Sequence, residues 1–401
     1  MSHAPKIQLG IDVLRSDLRQ LPGTRWALVT NDTAVTSDLT LTSQALWQDG
    51  APLCALFSPE HGLHVTAQAG ESESHTVDPR TGLPVIDTYH LSASQLQAAI
   101  TQLDIDLLLI DLPDVGTRYY TYASTMIDVM RSAAELGLPI VVLDRPNPLG
   151  GQIDGPGCQA EYSSFIGRAN IPIRHSLTIG EIARFVAAYD TQLGRPAADL
   201  HVLTMHGWQR NMLWKDTGLP WVMPSPNLPH PTSALVFNGT ALCEGTNISE
   251  GRGTTRPFEL IGAPWASEQL AEQLNAYQLP GVRFRPTWFT PVMSKWAGQA
   301  ISGVQLHVTD PYTIHPLRTA LYLMSHLASH DFAWNEPTWE DSGPQTPYFI
   351  DLMWGNSHLR NRLAEMKPRD IDEFLHDEQL KDWIDPELLL YSCDKYAISH
   401  R

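Results

Sequence analysis

The sequence is short of cysteine, short of positive charge and without a long apolar run. Cys54, Cys158, Cys243 and Cys393 stand far apart with no C-x-x-C spacing, which argues against a zinc site or a disulfide framework and predicts buried free thiols. Against 44 acidic residues there are 27 Lys+Arg, a formal charge of −17 that repels nucleic acid and anionic membranes alike. No stretch is long enough to span a membrane and residues 1–17 carry no signal-type apolar core, so a cytoplasmic protein is expected. A G-x-S-x-G elbow, an H-E-x-x-H pair, a G-x-G-x-x-G turn and the protein-kinase motifs are also missing. Serine hydrolase, zinc protease and dinucleotide chemistry therefore lack positive support, and neither a metal nor a redox cofactor is expected.

What is present is enough apolar sequence, 43% of 401 residues, to build two domains. Between Arg25 and Met205 short apolar runs alternate with amphipathic helical patterns, the signature of an α/β fold with a parallel sheet covered on both faces. The expected strands are residues 26–30, 53–57, 85–87, 107–110, 140–143 and 202–205. Ser92-Ala93-Ser94-Gln95 and Thr178-Ile179-Gly180-Glu181 read as capping boxes, each opening a helix with an apolar stripe. Pro220, Pro224, Pro226, Pro229 and Pro231 exclude helix and central strand and mark a boundary between domains 1–232 and 233–401. Beyond it, the apolar run 234–237, a helix near 267–277, strands near 282–289 and 304–308, and at least two helices between Pro316 and Leu390 predict a smaller α+β domain.

Ligands of an open α/β sheet sit outside the carboxyl ends of its strands. Four such places are polar: Asn31 after the first strand, Ser58-Pro59-Glu60-His61-Gly62 after the second, Asp111 through Tyr120 after the 107–110 strand, and Asp144-Arg145-Pro146-Asn147-Pro148 after the 140–143 strand. Glu60, gripped between Pro59 and Gly62 at the rim of an apolar sheet, suits a general acid, because desolvation favours the protonated carboxyl. The same residue could instead cap the next turn, with His61 packed beneath. Asp111 with Asp114, or Glu71 with Glu73, would supply a second carboxylate; each is equally suited to a helix cap or an ion pair with Arg118 or Arg145. The run Glu244 to Pro257 joins glycines with Asn247, Glu250, Arg252, Thr254 and Arg256, and it can hold an anion or a sugar or simply form a long turn. Lacking a G-K-[ST] ending, it is no nucleotide loop. Trp208, Trp214 and Trp221 suit either sugar stacking or a core.

Several of these strings occur together in one known family. Phe57-Ser58-Pro59-Glu60-His61-Gly62, Gly70-Glu71, Gly82-Leu83-Pro84-Val85, Asp114-Val115-Gly116 with Arg118 and Tyr122, Asp144-Arg145-Pro146-Asn147-Pro148, Pro224-Ser225-Pro226-Asn227 and Glu244 to Pro257 resemble, in order, the exo-β-N-acetylmuramidases of the NamZ type. The resemblance continues through Gly303-Val304-Gln305 to Tyr348, Asp351 and Gly355. It implies a Rossmann-like, doubly wound N-terminal domain, a smaller C-terminal domain and an active site in the cleft between them. It also implies release of terminal N-acetylmuramic acid from the non-reducing end of peptidoglycan fragments, with Glu60 as the catalytic residue and no redox cofactor.

With that resemblance, His61, Asp111 and Asp114 join Glu60 as candidate catalytic groups. Asn31, Glu71, Arg118, Tyr119, Arg145, Asn147, Asn227, Asn247, Glu250, Arg252, Thr254 and Arg256 become candidate contacts to a small sugar or muropeptide. The group assisting at the anomeric carbon is Asp111, Asp114, Glu250 or the substrate's acetamido oxygen. Two other readings stay open: a non-catalytic binder of acidic sugars, and a metal-dependent phosphoesterase built on Glu60, His61, Asp111 and Asp114. Where family members usually follow the S-P-E-H-G string with an aromatic residue, arginine and glycine, this chain has Leu63-His64-Val65.

Overall fold

The computed structural model describes residues 7–74, 76–336 and 347–391. Its main sheet has seven strands in the order β3-β4-β2-β1-β5-β6-β7. These are β1 Trp26–Val29, β2 Leu53–Ser58, β3 Thr76–Val77, β4 Pro84–Asp87, β5 Leu107–Ile110, β6 Ile140–Leu143 and β7 Leu200–Leu203. Every neighbour pair is parallel except β3 with β4. Parallel strands with helices on both faces read as unbroken apolar runs, which is how β1, β5 and β6 are written and why all their residues are buried.

Alternate side chains divide between two cores. Ala27, Val29, Leu108, Ile110 and Val142 join the helices Ala93–Gln102, Tyr122–Glu135 and Ile179–Gln192 on one face. Trp26, Leu28, Leu107, Leu109 and Leu143 meet Ile11 and Leu14 of the helix Gly10–Ser16 on the other. Both capping boxes form: Ser92 Oγ accepts from Gln95 N at 3.3 Å, and Thr178 Oγ1 from Glu181 N at 3.2 Å. Cys158 and Cys243 are buried free thiols and Cys54 is half-buried, whereas Cys393 lies outside the described residues.

A second sheet, β8-β10-β9, is antiparallel and comprises β8 Leu260–Ala263, β9 Val282–Phe289 and β10 Ile301–Val308. The apolar run 234–237 lies inside the helix Pro231–Thr240, whose last eight residues are all buried, so no helical period shows in its sequence. That helix lies so close to the helix Pro316–Leu327 that a Cβ on Gly239 would fall 2.0 Å from Pro316 O. Strand β7 begins two residues earlier than expected, because its pairing with β6 runs from Ile140 and Leu200 to Leu143 and Leu203. Among the described residues no helix is long and apolar enough to cross a membrane.

Candidate active site

Strand β1 lies between β2 and β5, which places the topological switch point at the carboxyl ends of β1 and β5. Little space remains there. Arg145 closes it by bonding both oxygens of Asp111 and the Val35 carbonyl, while the hydroxyls of Tyr120 and Tyr122 both donate to Pro224 O. A crevice of about 40 Å3 is left, bordered by Asp114, Arg145, Trp214 and Trp221. The large cavity, about 490 Å3, lies instead over the ends of β2, β4 and β5.

Glu60 comes two residues after β2. The turn that carries it places His61 at φ 73° and Gly62 at φ 78°, a region that strains a residue with a Cβ by about 1–3 kcal/mol. His61 is held there by its N–H to Glu71 O at 3.1 Å, and its Nδ1 lies 3.0 Å from Ala67 O. Carbonyls only accept, so Nδ1 carries a proton and the neutral ring keeps Nε2 as its acceptor. Gly62 has a second reason to lack a side chain, since a Cβ would sit 2.4 Å from the side chain of Glu73.

Glu60 is 7% exposed. Oε1 accepts from Gly70 N at 2.7 Å and Oε2 from the Thr121 hydroxyl. Both partners are neutral, so the carboxyl can gain or lose a proton without breaking an ion pair. About four lone-pair positions exist on a carboxylate, which leaves two beyond these bonds for a proton and a substrate.

The cavity wall also carries Tyr89, His90, Tyr119, Phe165, Arg168, Glu244, Arg252 and Phe258. The rings of Tyr89 and Phe165 meet edge to face, 5.5 Å between centroids, as an apolar surface suited to a sugar face. Burial and then the charge of Glu60 push the Tyr89 hydroxyl up, so it stays protonated as a donor. Of the other carboxylates on this wall, Asp128 faces Arg168 at 2.9 Å and Glu244 faces Arg252 at 2.7 Å. Burial raises both, and the neighbouring arginine opposes the shift in each case.

Of the residues singled out in the sequence, Glu60, His61, Tyr119 and Arg252 reach this cavity. Asn227 sits beside it, donating to Gln68 Oε1 at 3.3 Å, and Glu71 is exposed on the loop that holds His61. Asp111 is fully buried and held by three bonds from Arg145 and Thr42, away from this cavity. Asp114 borders the small crevice, with Oδ2 accepting from Gly116 N at 2.6 Å and lying 3.4 Å from His175 Nε2. The quartet a phosphoesterase would need is thus not gathered, and among the described residues no group of three or more His, Cys, Asp or Glu is placed to hold a metal ion.

The remaining candidates do not line this cavity. Asn31 links Tyr122 to Thr33, and Asn147 links Leu177 O to Leu149 N. Arg118 is buried and donates to the carbonyls of Pro156, Ile171 and Met353. Asn247 bonds the backbone of Asp331 and Ala333, Thr254 closes a turn on Gly251, and Arg256 is exposed beside His230 and Glu259. Glu250 is buried against Lys295 at 2.7 Å. Trp208 packs on Tyr391, and Trp214 meets Trp221 edge to face.

Sequence reasoning passed over Thr121, Tyr89, Phe165, Arg168 and Glu244 as site residues. Thr121 lies 61 positions from its partner Glu60, and nothing in spacing pairs the two. The signal that was available is topological, since Tyr89 follows β4 and Thr121 follows β5.

The arrangement can be set beside known proteins. The family description "Exo-beta-N-acetylmuramidase NamZ, N-terminal" matches residues 26–232, and its C-terminal counterpart matches residues 235–390. The peptidoglycan beta-N-acetylmuramidase NamZ of Bacillus subtilis (strain 168) is 42% identical over 363 residues, covering 90% of this chain and 84% of that protein. A crystal structure of a DUF1343 family protein from Bacteroides fragilis superposes with a TM-score of 0.82 at 31% identity, over 96% of this chain and 99% of that one. Another DUF1343 family protein from the same species gives 0.71 at 25% identity, with the same coverage. With matches that run through both halves of the sequence and a shared fold, this chain belongs to the exo-β-N-acetylmuramidase NamZ family.

Proposed function

We propose that this protein is an exo-acting glycosidase that releases terminal N-acetylmuramic acid from the non-reducing end of peptidoglycan fragments, with Glu60 protonating the leaving oxygen. The observation that carries the assignment is the Glu60 carboxyl, held by two neutral donors on the wall of a 490 Å3 cavity. That volume falls within the roughly 300–1,000 Å3 of small-ligand sites. Residues 1–232 and 233–401 act as two domains in this reading, and both contribute to the wall. The family membership and the Bacillus subtilis relative support the substrate class.

Thr121 and Gly70 orient the acid, and the protonated Nδ1 of His61 fixes its ring with Nε2 available to a substrate hydroxyl. Tyr89 and Phe165 supply the apolar wall for a sugar ring. The decisive experiment compares wild type with Glu60→Gln on a chromogenic β-N-acetylmuramide whose leaving group needs protonation. Loss of a general acid costs about 10²–10⁴-fold, so the variant should retain its circular dichroism and thermal transition but lose that much kcat. A near-normal rate would remove Glu60 from the role, and no release by wild type would leave a sugar-binding protein.

A further inference from the structure

N-acetylmuramic acid differs from N-acetylglucosamine by a lactyl ether that ends in a carboxylate. A cavity that selects the acidic sugar needs a guanidinium or a set of N–H groups, because the chain as a whole carries −17 and repels anions. The structure separates the candidate arginines. Arg145 is committed to Asp111, Arg118 to three carbonyls, and Arg256 stands on the surface with His230 and Glu259. Only Arg252 and Arg168 lie on the cavity wall among the described residues.

Those two differ in depth and in what is left to donate. Arg168 holds Asp128 with Nε and Nη2, and both side chains are about 30% exposed. Arg252 is 14% exposed, gives Nε and Nη2 to Glu244 Oε1, and keeps a buried Nη1 with no acceptor. A buried guanidinium N–H without a partner is unfavourable, so a carboxylate brought within reach would gain a charged hydrogen bond from a donor already stripped of water. Burial opposes the charge of Arg252, but Glu244, then Glu250 at 3.7 Å and, least, Glu60 outweigh it, so the guanidinium stays charged.

Its direction is fixed. The guanidinium carbon lies 5.1 Å from the centre of the Phe258 ring, and the backbone on either side is pinned by Gly251 at φ 81° and Gly253 at φ 77°. A Cβ on Gly251 would fall 2.5 Å from Leu260 O, and one on Gly253 would fall 2.6 Å from Met293 N. Val292 N bonds Gly253 O at 2.9 Å and ties the loop to its neighbour. The donor is therefore held in place before ligand arrives, which lowers the entropic cost of binding.

We propose that Arg252 is the residue that reads the lactyl carboxylate and so sets the preference for N-acetylmuramic acid, an inference that rests on the function proposed above. The test measures kcat/KM on a chromogenic N-acetylmuramide and on its lactamide, which is isosteric but uncharged, in wild type, Arg252→Met, Arg252→Lys and Arg168→Met. Wild type should prefer the acid by roughly 10- to 150-fold, the usual worth of a charge-assisted hydrogen bond. Arg252→Met should bring the acid-to-amide ratio close to one, Arg252→Lys should keep part of it, and Arg168→Met should leave it high. A wild-type enzyme that cleaves acid and amide equally would overturn the inference while leaving the glycosidase assignment standing. So would an unchanged ratio in Arg252→Met, or a collapse in Arg168→Met. If Arg252→Met does not fold, Arg252→Lys and the wild-type ratio decide, with equal cleavage of acid and amide by both counting against the proposal. Failure of wild type to release anything from either compound would instead refute the function itself.

Discussion

Thr121 meets Glu60 with a hydroxyl, a group that can donate to the carboxylate and accept from the carboxylic acid. It can therefore follow the acid through both halves of a proton-transfer cycle, which a purely donating Gly70 N–H cannot do. Thr121→Val keeps the volume and deletes that partner. Leaving a buried polar group short of one bond costs about 1–3 kcal/mol, so kcat/KM should fall roughly 5- to 150-fold, with Thr121→Ser recovering most of it. Steady-state kinetics on the three proteins decides, and a valine variant at wild-type rate would show that Gly70 alone positions the acid. Glu60 itself was legible because a short string places an acid, a proline and a glycine at a strand end. Thr121 was not, since its role exists only once β2 and β5 bring their ends to one cavity. Arg145 shows the converse: two prolines make its loop conspicuous, yet the side chain is used up on Asp111.

At the scale of elements, the turn after β2 concentrates constraint. His61 and Gly62 both have positive φ, and the space where a Gly62 side chain would go is filled by Glu73. Gly62→Ala should lower stability by roughly 1–3 kcal/mol, because alanine is strained at this φ and must push Glu73 aside. Activity should fall with it, as the same turn carries Glu60. Chemical denaturation together with kcat measures both, and a variant as stable and active as wild type would mean the turn relaxes freely. Strands β1, β5 and β6 were readable because burial on both faces demands continuous apolar residues. The two-residue β3 was not, since so few positions carry no period, and neither was β8, whose Gly262 and Ala263 break the apolar run. The glycine-rich loop was conspicuous in sequence, but which of its arginines faces inward depends on Gly251 and Gly253 packing against Leu260 and Met293.

Across the whole molecule, the segment containing Leu390 and Tyr391 straps the C-terminal part of the chain back onto the first sheet. Leu390 N donates to Glu181 Oε1 at 2.8 Å, Tyr391 OH donates to Asp144 Oδ2 at 2.6 Å, and Arg210 ties Glu181 to Tyr391 O. Burial, opposed by the bonds from Tyr391 and Gly180, pushes the Asp144 carboxyl up from 3.8 to about 7. A group that binds its proton more tightly when folded stabilises most at low pH, so the contribution is full below about 4 and is lost as pH rises through about 7. Asp144→Asn, which cannot ionise, should therefore gain on wild type as pH rises over that window. Denaturation curves at pH 5 and pH 8 test this, and an equal difference at both would contradict it. Ending the chain at Asp385 removes Leu390 and Tyr391 and strips partners from Asp144 and Glu181, with an expected loss of about 2–5 kcal/mol. A truncated protein with the full-length melting temperature would show the strap to be dispensable. The strap also has a consequence in time. Asp144 and Tyr391 are 247 positions apart, so at about 5–20 residues per second the ribosome needs roughly 12–50 s to deliver the phenol that closes over this buried carboxyl. Until then Asp144, just past β6, has its bonds from Thr178 and Gly180 but not the one from Tyr391, and the order of synthesis becomes part of how the domain reaches its final form.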